Sequence, residues 1–411
     1  MQRLKQNKKN LLADIKKLTY NPLFQTLIMS TIQKKDRLVW LDVVRLVALF
    51  TVVCCHSSDP FNYVFGETSD HVSDIQFWGA AYGSLVRFCV PLFVMITGAL
   101  LLPVRTDNTY VFYKKRISRV FWPFVVWSIL YALFPWFTGV IGCAPETILV
   151  FFPFSGEDAA QQSLALSMQS VANIPMNFSN IGVHMWYIYL LIGLYLYLPI
   201  FSAWVEKASE KGKRWFLIAW AVTLVVPYYQ QFVAPYLWGS CSWNGFYMLY
   251  YFAGFNGYLL LGHYLRHHDF SWGKTLGFGI PMFLAGYAVT YFGFTSVRAL
   301  PEYSDELLEL FFTFCSLNVA IMTIPVFLIL KKVKVTSPTV QSLLANLTVC
   351  GFGIYMIHYF LTGPSVQLMR NLDIPLPLQL PFGAIVAFLT SWIIVAFIHK
   401  VLGKKAVYLV G

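Results

Sequence analysis

The sequence has little charge for its length. Only 12 % of its 411 residues are Asp, Glu, Lys or Arg, whereas about 25 % is usual for a soluble globular protein. Hydrophobic residues make up 57 % of the chain, and the mean hydropathy is +0.60. Aromatic residues, at 18 %, suit membrane interiors and the interfacial belts beside them. These values exclude an ordinary soluble domain and predict an integral membrane protein whose length is counted in spans.

Metal-ligand and disulfide spacings are also missing. The seven cysteines are scattered through apolar segments, and none forms a CxxC pair or a Cys/His ligand spacing. We therefore expect them to be small apolar residues in helices, and we predict no metal site. Cys54 and Cys55 directly precede His56, which leaves a cysteine nucleophile as a minor alternative.

A signal peptide is a third absence. Residues 1–36 are basic and contain no apolar core followed by a cleavage site. We predict a cytoplasmic N-terminal segment that is an interfacial helix or an over-extended start. In the second case translation would begin at Met29, and residues 1–28 would not be translated.

Apolar segments of the length that crosses a bilayer, roughly 20 residues, recur along the rest of the chain. They predict an all-α, polytopic bundle over residues 37–403. A long extracytoplasmic loop at 138–183 could lie over the bundle as a lid. The ten candidate spans are 38–57, 77–102, 117–137, 184–204, 215–233, 246–265, 273–293, 307–330, 343–366 and 381–401.

The distribution of basic residues tests this count. With the N terminus in the cytoplasm, 26 of the 30 Lys and Arg residues fall on the cytoplasmic side. Only Arg298 and Arg370 fall on the opposite side, and Arg45 and Arg87 fall within spans. This asymmetry is typical of membrane topology. It predicts ten spans with both termini cytoplasmic, and it explains the net charge of +11 without a nucleic-acid partner.

The first span carries ionisable residues, which are expensive in hydrocarbon and are functional candidates by default. At 100° per residue Asp42 and Arg45 lie about 60° apart, and Arg45 and His56 return to within about 20° of one face. The rise from Arg45 to His56 is about 16 Å. The three residues therefore share one inward stripe. The structural alternative is an Asp42–Arg45 pair at one end of the helix, with His56 at the outer interface.

Further polar residues stand in or beside later spans. Arg87 lies inside the second span and needs an anion, a cavity or an ion-pair partner. Arg116 and Arg119 share one helical face before the third span and suit bidentate phosphate recognition, although ordinary cytoplasmic charge is an alternative. The remaining candidates lie at a depth similar to that of His56 and are weaker predictions for substrate binding: His184, Trp186 and His358.

Five segments in order resemble the membrane acyltransferase 3 family. DVVRLVALFTVVCCH resembles its first span, with an acid, an arginine and a histidine at the same spacing. VPLFVMITG is similar to its second span, with Thr97 where serine is more usual, and KKRISRVFWPF resembles its Arg-x-x-Arg motif. HMWYIYLLIGLYLYLPI and GFGIYMIHYFL are similar to its middle and penultimate spans. The resemblance covers nearly all of residues 36–402 and is closest to enzymes that O-acetylate bacterial surface sugars, of the enterobacterial common antigen type.

The resemblance implies transfer of an acyl group, usually acetyl from acetyl-CoA, to a carbohydrate hydroxyl in the bacterial inner membrane. His56 would be the catalytic histidine, with Asp42 holding Arg45 as its basic partner. Arg116 and Arg119 would bind the CoA phosphates, and Arg87 is grouped with them. Arg45 or Arg87 could also stabilise an oxyanion. Direct attack on the thioester is favoured over a covalent relay, because a pantetheine arm can reach about 16 Å.

Two other classes of protein remain open from the residues alone. A secondary transporter of a sugar or a lipid-linked glycan could also use buried Asp, Arg and His residues. The cytoplasmic Arg116–Arg119 pair argues against it, because a transporter has no need of a CoA site. A structural membrane protein would leave the polar stripe on the first span unexplained.

Overall fold

The protein is all-helical in the computed structural model. The structure describes residues 38–62, 72–106, 108–144, 146–152, 162–179, 181–233 and 245–411, and this part of the chain contains no β-strand. The prediction of an all-α fold is therefore confirmed for the described residues. The predictions for residues 1–36 lie outside them.

Twelve helices of ten or more residues build the described part of the chain. They are α1 Val39–Ser57, α2 Val72–Leu85, α3 Cys89–Leu101, α4 Thr109–Val140, α5 Leu164–Asn173, α6 Trp186–Lys207, α7 Glu210–Thr223, α8 Asn256–His267, α9 Trp272–Arg298, α10 Leu317–Lys331, α11 Pro338–Asn371 and α12 Leu376–Leu402. Short α or 3₁₀ helices lie between or after them: Asp59–Asn62, Glu146–Phe151, Val183–Met185, Val226–Phe232, Tyr247–Phe252, Asp305–Glu309, Gly403–Ala406 and Val407–Val410.

Seven helical segments in the described residues are long and apolar enough to cross a membrane, fewer than the ten predicted. They are Val39–Asn62, Val72–Leu101, Thr109–Val140, Val183–Lys207, Trp272–Arg298, Pro338–Asn371 and Leu376–Val410. The other three predicted spans are broken into shorter pieces. Residues 215–233 end α7 and then form Val226–Phe232, while 246–265 divide at Gly254, whose φ is +88°. Helix α10 has 15 residues, about 22 Å at 1.5 Å per residue. The structure supports a membrane bundle and does not confirm the count of ten.

Helix α1 lies at the centre of the bundle. It packs against α3, α10, α11 and α12, and Val44, Ala48 and Val53 along it are fully buried. Because so many helices surround α1, its polar residues face protein and cavities. This agrees with the inward stripe predicted for Asp42, Arg45 and His56.

Helices α3 and α8 cross at two glycines. A Cβ atom on Gly98 would lie 1.9 Å from the Leu259 carbonyl oxygen, and one on Gly262 would lie 2.0 Å from the Met95 carbonyl oxygen. Only residues without a side chain allow the two backbones to approach this closely. Gly98 and Gly262 therefore allow the close crossing of α3 and α8.

Two basic side chains of the described residues bind helix carbonyl groups at one end of the bundle. There the Arg266 guanidinium donates to the Ala99 carbonyl, and Lys331 Nζ donates to the Leu265 carbonyl at 2.9 Å. Both cations bind the last carbonyl groups of a helix, where the helix dipole favours positive charge. The two exceptions predicted by the sequence, Arg298 and Arg370, lie at the opposite end.

The opposite end is built around the short helix that follows α1. Arg298 donates to Asn62 Oδ1 at 3.3 Å, and the Arg370 guanidinium lies 5.4 Å from the centre of the Phe61 ring. Part of the predicted lid at 138–183 is also packed into the bundle. Its helix Glu146–Phe151 passes α11 at Gly363, where a Cβ atom would lie 1.8 Å from the Val150 carbonyl oxygen.

Candidate active site

His56 forms a dyad with an acid that follows it by three residues. It lies in the last turn of α1, and Asp59 begins the next short helix. The Ser58 N–H caps α1 by donating to the carbonyls of Cys54 and Cys55. This tight connection brings Asp59 Oδ2 to 2.9 Å from His56 Nδ1. A carboxylate at this distance accepts a hydrogen bond from Nδ1–H and leaves Nε2 as the basic nitrogen.

His184 and His358 lie next to His56, as their similar predicted depth suggested. The His56 ring centre is 6.2 Å from that of His184, 5.4 Å from that of His358 and 5.0 Å from that of Tyr359. His358 Nδ1 lies 2.7 Å from the Tyr355 carbonyl oxygen. His184 and His358 are fully buried, whereas the His56 side chain keeps 19 % of its surface exposed, so the cluster is open to a second reactant at His56.

The residues around His56 enclose a space of about 200 Å³, here called the histidine cavity. Helix α1 contributes Val52, Cys55 and His56 to its wall. The other lining residues are Asp59, Arg87, Cys89, Val90, Val183, His184, Trp186, Glu309, Phe314 and Tyr355. The cavity therefore holds a base, an acid, a guanidinium group and an aromatic wall in one small volume.

Arg87 lies in this cavity and not beside Arg116 and Arg119, with which the sequence grouped it. Its side chain is buried, and its guanidinium carbon lies 3.7 Å from the centre of the Phe312 ring. A cation over an aromatic face is stabilised when it is removed from water. The position of Arg87 suits a charge that develops next to His56 better than a role with the other arginines.

Trp186 supplies the aromatic wall. Its indole stacks on Phe314, with ring centres 5.5 Å apart and planes 17° apart. Both rings line the histidine cavity. The prediction that Trp186 lies at a binding site agrees with this position, and Phe314 was not identified from the sequence.

A second space of about 380 Å³ lies further along α1 toward its N terminus and is here called the basic cavity. Arg45, Arg116 and Arg119 line it together. Arg45 lies on α1, whereas Arg116, 71 positions later, and Arg119 lie on α4. The structure therefore brings the two predicted arginine motifs to one site. Its volume lies within the range of about 300–1,000 Å³ that is usual for small-molecule sites.

Asp42 orients the arginine of α1 toward this cavity. Arg45 Nη1 donates to Asp42 Oδ1 at 3.1 Å, and Thr348 Oγ1 on α11 donates to the same oxygen at 3.0 Å. The carboxylate is buried while the guanidinium is half-buried. Asp42 therefore fixes Arg45 between α1 and α11 and lies away from His56.

The two cavities are neighbours along α1. Leu49 lines the basic cavity and Val52, one turn later, lines the histidine cavity. Tyr355 on α11 lines both. Three arginine side chains therefore line one cavity and a histidine–acid dyad lines the other, with Tyr355 at the boundary between them.

Comparison with known families agrees with this class. A family model described as an acyltransferase domain matches residues 38–396, which include every lining residue of both cavities except Gly411. The chain belongs to the acyltransferase 3 family and is a membrane acyltransferase. Neither the curated proteins nor the solved structures yielded a match. The transporter that the sequence left open finds no support in these findings.

Several residues of the site were missed by sequence reasoning. Asp59 was not singled out from the sequence, although its i, i+3 spacing from His56 was a usable signal. Thr348 and Glu309 gave no signal, because neither stands in a recognisable motif. Tyr355 lies within GFGIYMIHYFL, one turn before His358, and that spacing could have identified it.

Proposed function

We propose that the protein transfers an acyl group, most often acetyl, from cytoplasmic acyl-CoA in the basic cavity to a carbohydrate hydroxyl in the histidine cavity. The observation that carries this proposal is the His56–Asp59 dyad in a cavity that adjoins an arginine-lined cavity through Tyr355. Acyl transfer from one side of a membrane to the other needs a donor site on the first side. It also needs a base near the acceptor, toward the second side.

The arginines support the choice of donor. Coenzyme A carries several phosphate groups, and guanidinium groups bind phosphate with paired hydrogen bonds. Arg116 and Arg119 occur at i and i+3 on α4, and Arg45 joins them from α1. The helical rise from Arg45 to His56 is about 16 Å, a distance that the pantetheine arm can span. Acetyl-CoA would thus reach His56 directly.

The dyad supports general base catalysis. His56 would take the proton of the acceptor hydroxyl as its oxygen attacks the thioester carbonyl. Asp59 would hold the imidazole in the correct tautomer and stabilise its charged form. Arg87 would stabilise the tetrahedral oxyanion. As the C–S bond breaks, the proton held by His56 passes to the CoA thiolate, which leaves as the thiol.

The walls of the histidine cavity support a sugar acceptor. Trp186 and Phe314 present aromatic rings, on which the apolar faces of sugars stack. Among the described residues neither ring nitrogen of His184 has a hydrogen-bond partner, and a buried polar group in that position costs about 1–3 kcal/mol. An acceptor hydroxyl would satisfy it. The acceptor proposed is a surface glycan or lipid-linked saccharide, as in enterobacterial common antigen modification.

The distribution of charge supports the topology. The basic end of the bundle would face the cytoplasm of a bacterial inner membrane, because cytoplasmic loops carry the excess of Lys and Arg. Both termini and the phosphate-binding arginines would then lie on the side that supplies acyl-CoA. The shorter helices α7, α8 and α10 would complete a ten-segment bundle.

The experiment is complementation of a strain that lacks the protein, followed by mass spectrometry of its surface glycans. The wild type should restore an acetyl group, and His56→Ala should lower it by about 10²–10⁴-fold, the usual contribution of a general base. His399→Ala is the matched control, because His399 lies on α12 outside both cavities. Cys55→Ser should retain activity if attack is direct.

The proposal would be wrong if His56→Ala, expressed at the wild-type level, restored the same acetylation as the wild type. Loss of transfer in Cys55→Ser, with the thiol as the only change, would instead favour the covalent relay.

A further inference from the structure

Tyr355 is the wall between the two cavities. It lies in the middle of α11 and is buried, and it lines both spaces. On the basic side its ring centre lies 5.7 Å from that of Tyr187, which lines only the basic cavity. On the other side it lies 5.5 Å from that of His358. A thioester that moves from the arginines to His56 must pass this ring.

A single hydrogen bond holds the ring in place at its outer end. Tyr355 Oη donates to the His184 carbonyl at 2.6 Å. This carbonyl belongs to the 3₁₀ turn Val183–Met185, just before α6. The bond therefore ties α11 to the start of α6 across the boundary between the cavities, and a side-chain rotation that breaks it would join them.

The reaction needs such a boundary. An enzyme that carries a thioester toward an aqueous compartment must exclude water, because water in place of the acceptor would hydrolyse the donor. In that side reaction the water oxygen bonds to the carbonyl carbon, the C–S bond breaks, and acetate and free CoA thiol are released. A barrier that opens only for the acyl group limits this loss.

We infer that Tyr355 is a gate between the two cavities that controls both thioester hydrolysis and acyl length. The inference rests on the proposed function. The acyl group must pass the ring ahead of the thioester carbonyl and then share about 200 Å³ with the acceptor. That volume is below the usual range for small-molecule sites. The intact gate thus selects short acyl groups.

The test measures free thiol released from acyl-CoA by the purified full-length protein in liposomes without acceptor. Tyr355→Phe keeps the ring and loses the hydrogen bond, so hydrolysis of acetyl-CoA should rise about fivefold, as expected for one neutral hydrogen bond. Tyr355→Ala also removes the ring, so the two cavities would stay connected. The hydrolysis rate should then rise by roughly tenfold or more, because the protein has no closed state left. In Tyr355→Ala the rate ratio of butyryl-CoA to acetyl-CoA should also rise.

Tyr82→Phe is the matched control. Its hydroxyl likewise donates to a backbone carbonyl, that of Pro377, at 2.9 Å, and Tyr82 lines neither cavity. It should hydrolyse acetyl-CoA at the wild-type rate. A structural loosening shared by both tyrosines would raise hydrolysis in both variants and would overturn the gate.

Two other results would also overturn it. The first is a hydrolysis rate in Tyr355→Phe within twofold of the wild type, while His56→Ala abolishes transfer. This result would show that Tyr355 does not control hydrolysis of the thioester. Loss of both hydrolysis and transfer in Tyr355→Phe would make the phenol a catalytic group. If the wild type used no acetyl-CoA at all, the proposed function itself would be wrong. Comparison of the wild type with His56→Ala in the transfer assay detects that failure separately from a failure of the gate.

Discussion

Asp59→Asn should slow acyl transfer without weakening donor binding. The change keeps the size of the side chain and removes the charge that faces His56 Nδ1 at 2.9 Å. Both side chains are largely buried, with 19 % and 8 % of their surface exposed, so water screens the pair only slightly. A hydrogen bond to a charged group contributes about 1.5–3 kcal/mol. At about 1.4 kcal/mol for each factor of ten, kcat should fall by about 10- to 150-fold.

The assay is transfer of labelled acetyl from acetyl-CoA to isolated surface glycan by the purified protein. The donor KM should stay within about twofold of the wild type, because the basic cavity lies beyond Tyr355. Asp74→Asn is the control, since Asp74 is an exposed acid in the first turn of α2. Asp59→Glu should recover part of the rate. A kcat for Asp59→Asn within twofold of the wild type would refute the dyad.

Two further predictions concern the donor site and the fold. Replacing Arg116 and Arg119 by alanine should raise the acetyl-CoA KM about tenfold or more, the effect of losing a charged hydrogen bond. Replacing the exposed pair Lys114 and Lys115 on the same helix should change this KM little. An unchanged KM in the arginine variant would show that the basic cavity is not the donor site. Gly98→Ala should lower stability by about 1–3 kcal/mol, measured as thermal unfolding in detergent, because its Cβ would meet the Leu259 carbonyl at 1.9 Å. Gly277→Ala, with open space around it on α9, should not lower stability, and equal effects would argue against the crossing.

The polar stripe on α1 was predictable because helical geometry alone relates its members. Eleven residues at 100° each bring Arg45 and His56 to one face, and burial of charge in a membrane requires that face to look inward. The structure confirms that Asp42 contacts Arg45 and that α1 is central. Helical periodicity does not predict which residues of other helices contact this stripe. Thr348 and Tyr355, for example, are about 300 positions away in sequence.

The number of spans and the place of Arg87 depended on features that hydropathy does not record. Gly254, at a positive φ, interrupts an apolar stretch that a sliding window treats as continuous. Arg87 lies in the turn between α2 and α3, so its side chain leaves the helical register that an uninterrupted span would impose. Its neighbour Phe312 comes from a segment between α9 and α10. Local breaks in the helices therefore account for both differences from the sequence prediction, the lower number of long spans and the position of Arg87.

The arrangement along α1 also determines which part of the site can adapt. Arg45 and His56 lie on one uninterrupted helix, so their separation of about 16 Å follows from the helical rise and cannot change with loop motion. Asp42 and Asp59 fix the two side chains at either end. In the proposed function, a donor bound at one end and a base at the other leave only the residues between them free to move as the acyl group passes. Tyr355 lines both cavities but comes from a different helix, α11, so its motion can open the proposed path while the distance between Arg45 and His56 is kept.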